Sequence, residues 1–304
     1  MKTIIKCIKR DKWLHLLVLP TVIFYLIFAY YPMYGIIIAF KNFSFNRGIL
    51  GSPWADIGGF EHFIKFFNSM YFPRLMKNTV ILSMTALICS FPVPIVFALL
   101  LNEVANKTFK RFTQSVSYFP NFVSIVITVG IMTILLHPTE GVINRLIMLI
   151  GGESVPFMQS REWFRPLYII SGIWQTFGWN SIIYIAALSG VSVELYEAAE
   201  IDGANRLQQV WHVSLPSITP TILILLIMAV GGMFEVGWEK ILLMYSPSIY
   251  DVADVIDTYV FRKSIGDAQF SAAAAIGLFK NILNFALLYS VNRVSRRLSE
   301  VSLW

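Results

Sequence analysis

The chain has little of what soluble enzymes and secreted scaffolds are built from. Its 304 residues include two cysteines, Cys7 in a basic N-terminal stretch and Cys89 inside an apolar run, so no disulfide framework is available. Charged residues make up 14% against 56% hydrophobic, a balance that excludes an ordinary globular domain and a disordered one alike. A Gly-x-x-x-x-Gly-Lys-[Ser/Thr] phosphate loop is missing, so this chain is not expected to bind ATP and Mg itself. His-Glu-x-x-His, Gly-x-Ser-x-Gly and cysteine clusters are missing too. The four histidines (His15, His62, His137, His212) lie on separate segments, which argues against a metal site. No catalytic constellation is legible, and no cofactor is expected in this chain.

What the chain has is apolar length. Six stretches approach the ~20 residues that a bilayer core demands: roughly 13–40, 79–101, 116–136, 167–189, 218–236 and 271–291. The first is too long for a signal peptide and lacks a small-residue cleavage site, so it reads as a retained span. The expected fold is an all-α membrane protein with six transmembrane helices. Its parts are a basic segment with the first span (1–40), an external loop with an interfacial helix (41–78), a transmembrane core (79–291) that includes a polar loop at 190–216, and a tail (292–304). The net charge of +6 sits at membrane borders: Lys2, Lys6, Lys9, Arg10 and Lys12 in front, Arg293, Arg296 and Arg297 behind. That is orientation charge rather than a nucleic-acid footprint. With Lys107, Lys110 and Arg111 it places both termini in the cytoplasm.

The segments assigned outside carry helical signals of their own. Phe60, Phe63, Ile64 and Phe67 repeat at helical spacing with Glu61, His62, Lys65 and Asn68 opposite, the pattern of a helix in the membrane interface. A short helix is expected within 136–166. Val252, Val255, Ile256 and Tyr259 form another stripe, from which Asp251, Asp254 and Asp257 are expected to face away. Such a helix either covers a pore rim or also touches a protein partner outside the membrane.

Residues 190–216 carry the most specific signal. Ser192 can cap a helix and Glu194 falls in its first turn, where a negative charge complements the helix dipole. Ala198 and Ala199 keep one side thin, and Glu197, Glu200 and Asp202 supply carboxylates. Gly203 permits a turn into a second short helix over 205–212, which Pro216 is expected to stop. A loop lying on lipid would favour Lys and Arg, whereas this one is mainly acidic. Glu197-Ala198-Ala199, three residues, Gly203, nine residues, then Val213-Ser214-Leu215-Pro216 resembles the EAA loop of bacterial ABC importer permeases, with Val213 where isoleucine is usual. Glu194-Leu195-Tyr196 ahead of it and Ile201-Asp202-Gly203-Ala204 within it are similar to carbohydrate permeases of the maltose type. Gly231-Gly232-Met233-Phe234, the words at 250–260 and Leu303-Trp304 resemble the LplB-like branch.

That resemblance covers essentially the whole chain. It implies a type I ABC importer permease fold with cytoplasmic EAA coupling helices, in which Glu197, Ala198, Ala199, Asp202, Gly203 and Pro216 serve ATPase docking. It implies a heterodimer with a second homologous permease subunit, two ATPase subunits, an extracytoplasmic solute-binding protein and an oligosaccharide substrate, in the lipid of a bacterial cytoplasmic membrane. A non-sugar ABC permease would share the insert but lack the sugar-type words. A secondary transporter or channel would need no docking loop.

Gly172, Gln175, Thr176 and Trp179 fall at i, i+3, i+4 and i+7, a helix face that offers hydrogen bonds to hydroxyls and a flat ring to the C–H side of a sugar. By the resemblance, these positions match those where maltose-type permeases hold sugar, with Ala229, Gly232 and Met233 as the corresponding face of the fifth span. Helix packing through small and polar residues is the alternative. Lys280 shares a polar face of the sixth span with Gly277, Asn281 and Asn284. A charge at mid-membrane costs ~2.5–3.5 kcal/mol on insertion scales. Lys280 is therefore expected to line the substrate path, with Glu235 as its counter-charge, or else to snorkel to the interface.

Overall fold

The computed structural model describes residues 12–299. Lys2, Lys6, Lys9, Arg10, Cys7 and the terminal Leu303-Trp304 lie outside them. A chain in lipid must satisfy its backbone groups within itself, and the described residues do so as helices.

In chain order the main elements are α1 (Lys12–Phe40), α2 (Glu61–Phe67), α3 (Phe72–Asn102), α4 (Lys107–Phe122), α5 (Ile125–Leu135), α6 (Val142–Leu149) and α7 (Arg161–Ser189). There follow α8 (Val193–Ile201), α9 (Arg206–Gly231), α10 (Trp238–Met244), α11 (Tyr250–Ala253), α12 (Ile256–Phe261) and α13 (Phe270–Ser299). Among the described residues, α1, α3, α9 and α13 are long and apolar enough to cross a membrane. Two bent pairs, α4 with α5 (98°) and α7 with α8 (72°), bring the number of spans to as many as six.

The third apolar stretch, expected to run unbroken over 116–136, does not. Pro120 sits in a tight 3-10 turn, Phe119–Phe122, and the chain is extended at Val123 and Ser124. The Ser124 hydroxyl then starts α5 by accepting from the Ile127 N–H at 3.4 Å. A proline followed by a capping serine stops one helix and begins another.

By its internal contacts the chain forms two units, one reaching to Ser69 and including Val260–Phe279, the other comprising Met70–Tyr259 and the residues from Lys280. Within the first, α2 forms where its phenylalanine stripe requires. Phe60 and Phe63 pack around Phe40 at 5.5 and 5.4 Å, and Phe66 and Phe67 meet Phe279 at 6.0 and 5.1 Å. Phe66, which the expected stripe omits, is the residue of α2 that is buried.

In the second unit, α3 and α7 run through two apolar clusters. Leu82 and Phe164 join Val129, Ile241 and Met244 at one end, while Ile95 and Ala98 join Tyr184, Leu188 and Ile218 at the other. Between them α4 touches α7 backbone to backbone. A Cβ on Gly178 would lie 2.1 Å from the Ser117 carbonyl oxygen, so only glycine fits. The segment between α5 and α7 folds around Asn144. Its amide donates to the carbonyls of Leu136, His137 and Val155 at 3.2, 3.1 and 3.0 Å, and its carbonyl accepts from the Val155 N–H at 2.8 Å.

Candidate translocation path and docking surface

The 190–216 insert folds as its residues require. The Ser192 hydroxyl accepts the Glu194 N–H at 3.3 Å and starts α8. Gly203 adopts φ +80°, the left-handed conformation that reverses the chain. Asn205 and Gln208 form a reciprocal capping box with bonds of 3.0 and 2.7 Å, and so start α9. No residue of α8 is buried, and Val193, Leu195 and Ile201 stand exposed together with Leu207 and Trp211. Ala199, Asp202 and Gly203 line a cleft of about 290 Å³ with Gln208 and His212. Glu197 and Ala198 are exposed beside it, and Pro216 lies apart in the body of α9.

Pro216 does not stop the second helix, contrary to expectation. A π-helical turn, Val210–Ser214, precedes it, with the Leu215 N–H bonded to the Val210 carbonyl, and the helix continues to Gly231. The proline falls in the first turn after this change of register, where its missing N–H is tolerated. The hydroxyls of Tyr196 and Ser214, 2.9 Å apart, tie α8 to that turn.

Gly172, Gln175, Thr176 and Trp179 all lie on α7, but their side chains are differently engaged. Thr176 donates to the Gly172 carbonyl at 2.9 Å. Gln175 donates to the Val123 carbonyl at 2.8 Å and so holds the break between α4 and α5 against α7. Trp179, 44% exposed, meets Phe122, 70% exposed, edge to face at 5.5 Å. Phe122 was not singled out by the sequence, although its place between Pro120 and Ser124 was a signal. Gly232 caps the end of α9, and Met233 follows it half-buried. A separate groove of about 270 Å³ lies between α3, α7 and α9. Of the expected sugar-face residues it includes only Ala229, beside Ser90, Asn180 and Tyr184.

The expectation for the aspartates of the 251–257 segment is corrected. Asp254 is extended (φ −72°, ψ 118°) and separates α11 from α12, so the stripe is not one helix. Its side chain is buried, facing Arg74 at 3.3 Å and accepting from Thr258 at 2.8 Å. Asn78 donates to the carbonyls of Asp251 and Asp254 at 2.9 and 3.0 Å, and accepts from Arg165 at 3.2 Å. Asp251 faces Arg161 at 3.2 Å. These bonds clamp the segment to the starts of α3 and α7.

Lys280 pairs with Asp257 at 2.5 Å, and the two side chains are 14% and 12% exposed. Asp257 therefore takes the place expected of Glu235, which is exposed. Asp257 hides within an apparently amphipathic stripe, and only the fold brings it to α13. Asn284, on the expected polar face of α13, accepts the Phe234 N–H at 3.2 Å.

Lys240, on α10, was also missed by sequence reasoning. It is 6% exposed. Its ammonium donates to the Tyr168 carbonyl at 2.7 Å and sits 4.6 Å from the centre of the Tyr168 ring. The Tyr168 hydroxyl in turn donates to the Val236 carbonyl at 2.6 Å. Burial pushes the Lys240 amine down to about 8.

Known proteins resemble this chain over nearly its whole length. The chain is 43% identical to the polygalacturonan/rhamnogalacturonan transport system permease protein YteP of Bacillus subtilis, over all of this chain and 93% of that protein. It is 41% identical to Protein LplB of the same organism, over 98% of this chain and 92% of that protein. A chain from the crystal structure of a bacterial ABC transporter involved in the import of the acidic polysaccharide alginate superimposes with a TM-score of 0.89 at 41% identity, covering 98% of this chain and 99% of that one. The family model of binding-protein-dependent transport system inner membrane components matches residues 90–300, and the chain belongs to that family.

Proposed function

We propose that the chain is the permease subunit of an ATP-driven importer that takes an oligosaccharide from a solute-binding protein and passes it across the cytoplasmic membrane. The observation that carries this reading is the full-length likeness to a polygalacturonan permease and to a subunit of the alginate transporter. A second structure of that transporter, described as in complex with alginate pentasaccharide-bound periplasmic protein, matches with a TM-score of 0.88. In this reading a second permease completes the path, both termini are cytoplasmic, and two ATPase subunits bind ATP and Mg.

The exposed α8 and the cleft at Ala199, Asp202 and Gly203 suit a docked ATPase, for an acidic surface edged with Leu195, Ile201 and Trp211 gains by being covered. Closure of the ATPases on ATP would then push α8, and the bond between Tyr196 and Ser214 would carry the motion into α9. The broken helix supports a path along α7. Non-helical backbone at membrane depth is tolerated where it is buried or where water reaches it. Ser124 and Asn180, exposed beside Phe122 and Trp179, are polar groups that lipid would penalise.

The test is coupling. Glu197→Lys places a repelling charge on the docking surface, and Gly203→Pro cannot adopt φ +80°. Both variants should insert and assemble normally as spans, yet lose ATP hydrolysis stimulated by loaded binding protein in proteoliposomes. Normal stimulated hydrolysis in both would remove this loop from the coupling.

A further inference from the structure

Several of the described cations meet a carboxylate. Arg74 faces Asp254, Arg161 faces Asp251, Lys280 faces Asp257, and Lys263 faces Asp267. Lys41 is as buried as Lys240, but its ammonium donates to two carbonyls, those of Ile49 and Leu50, at 3.0 and 2.8 Å. Lys240 donates to one. An ammonium has three donors, and the Tyr168 ring gives only a cation–π contact to another side of it. A buried charge left without a counter-charge is costly, and a strongly desolvated ionisable group is a candidate for a functional role.

The surroundings show where that anion would arrive. Nζ of Lys240 lies 3.4 Å from the position a Cβ would occupy on Gly172, so no side chain separates the ammonium from the half-buried face of α7. Gly172 is one turn from Thr176 and two from Trp179, on the face that borders the broken helix. Lysine also suits passage better than arginine would. A flexible point charge can make a single charge-assisted bond and let go, whereas a guanidinium grips a carboxylate with two.

We propose that Lys240 selects for carboxylate-bearing sugar units, its ammonium meeting a uronate carboxylate as the chain of sugars enters along α7. The proposal rests on the oligosaccharide-importer reading; acidic saccharides are already the substrates named for the polygalacturonan and alginate relatives, and what is added is the residue that reads their charge. No covalent step is involved. The carboxylate replaces or joins the Tyr168 carbonyl as acceptor, and the ammonium returns to Tyr168 when the sugar moves on.

The experiment uses the complete importer in proteoliposomes with its binding protein. Uptake of a galacturonate trisaccharide is compared with uptake of the same trisaccharide fully methyl-esterified, which keeps the ring shape and removes the charge. Lys240→Met should lower the acid-to-ester uptake ratio about tenfold, with assembly and binding-protein affinity unchanged, and Lys240→Arg should keep most of the preference. Lys240→Gln retains a donor for the Tyr168 carbonyl and guards against misfolding. An unchanged ratio in an assembled Lys240→Gln or Lys240→Met importer overturns the proposal and leaves Lys240 as a tether between α10 and α7. Wild-type importer that takes up neither trisaccharide, nor any other oligosaccharide, would instead overturn the transport reading itself.

Discussion

The pair Lys280–Asp257 gives the sharpest quantitative expectation. Its charges are 2.5 Å apart and nearly enclosed, at 14% and 12% exposure, so solvent screens them little. Removing one partner strands the other in a medium of low dielectric, a loss of about 3–5 kcal/mol for buried pairs. At ~1.36 kcal/mol per tenfold, that is roughly two to four orders of magnitude in the folding equilibrium. Lys280→Met and Asp257→Asn should each lower the yield of assembled complex and its melting temperature in detergent. The double variant strands no charge and should recover much of the loss, with a coupling of about 1–3 kcal/mol. Glu235→Gln, at an exposed carboxylate outside the pair, should stay within about 0.5 kcal/mol of wild type. Two single losses that simply add in the double variant would refute the pairing, as would a Glu235→Gln defect equal to that of Asp257→Asn.

Two further expectations concern α7. Gly178→Ala forces a methyl to within 2.1 Å of the Ser117 carbonyl oxygen, so α4 must shift. Overpacking of about 1–3 kcal/mol should appear as reduced assembly, and a variant that assembles and melts like wild type would show that the contact yields freely. Trp179→Ala removes one ring of the exposed pair with Phe122 and should lower oligosaccharide uptake per assembled complex more than it lowers assembly, leaving binding-protein affinity intact. Unchanged uptake per complex would make Trp179 a packing residue.

The 190–216 insert was legible because its structure is written locally. Ser192, Gly203 and Asn205 each fix a backbone position by their own chemistry, and caps and a left-handed turn need no distant partner. The break of the third apolar stretch was equally written, in Pro120 and Ser124, but hydropathy averaged over a window hides a two-residue interruption. Asp254 and Asp257 defeated the helical-face argument for a different reason. Periodicity assumes an unbroken helix, and Asp254 itself interrupts it to reach Arg74. Lys280 was recognised as needing a counter-charge, yet the choice between Glu235 and Asp257 depends on how α12 lies against α13, which no spacing along the chain encodes. The closeness of Gly178 to Ser117 and of Lys240 to Gly172 is likewise a property of packed helices.

The π-helical turn at Val210–Ser214 has a consequence for evolution within such transporters. A π turn is an α-helix with one residue inserted, and each residue advances a helix by about 100° (360° over 3.6 residues). The wider turn absorbs that extra residue locally, so the residues on either side of it keep nearly the angular phase of an unbroken α-helix. Loss of one residue within the turn would return it to α geometry with little rotation of the acidic insert, whereas loss of one residue from the α-helical body of α9 would swing what precedes it by about 100° about the α9 axis. The turn is thus a place where one residue of length can be gained or lost while the docking surface keeps its aim, and a one-codon deletion should be tolerated better there than elsewhere in α9.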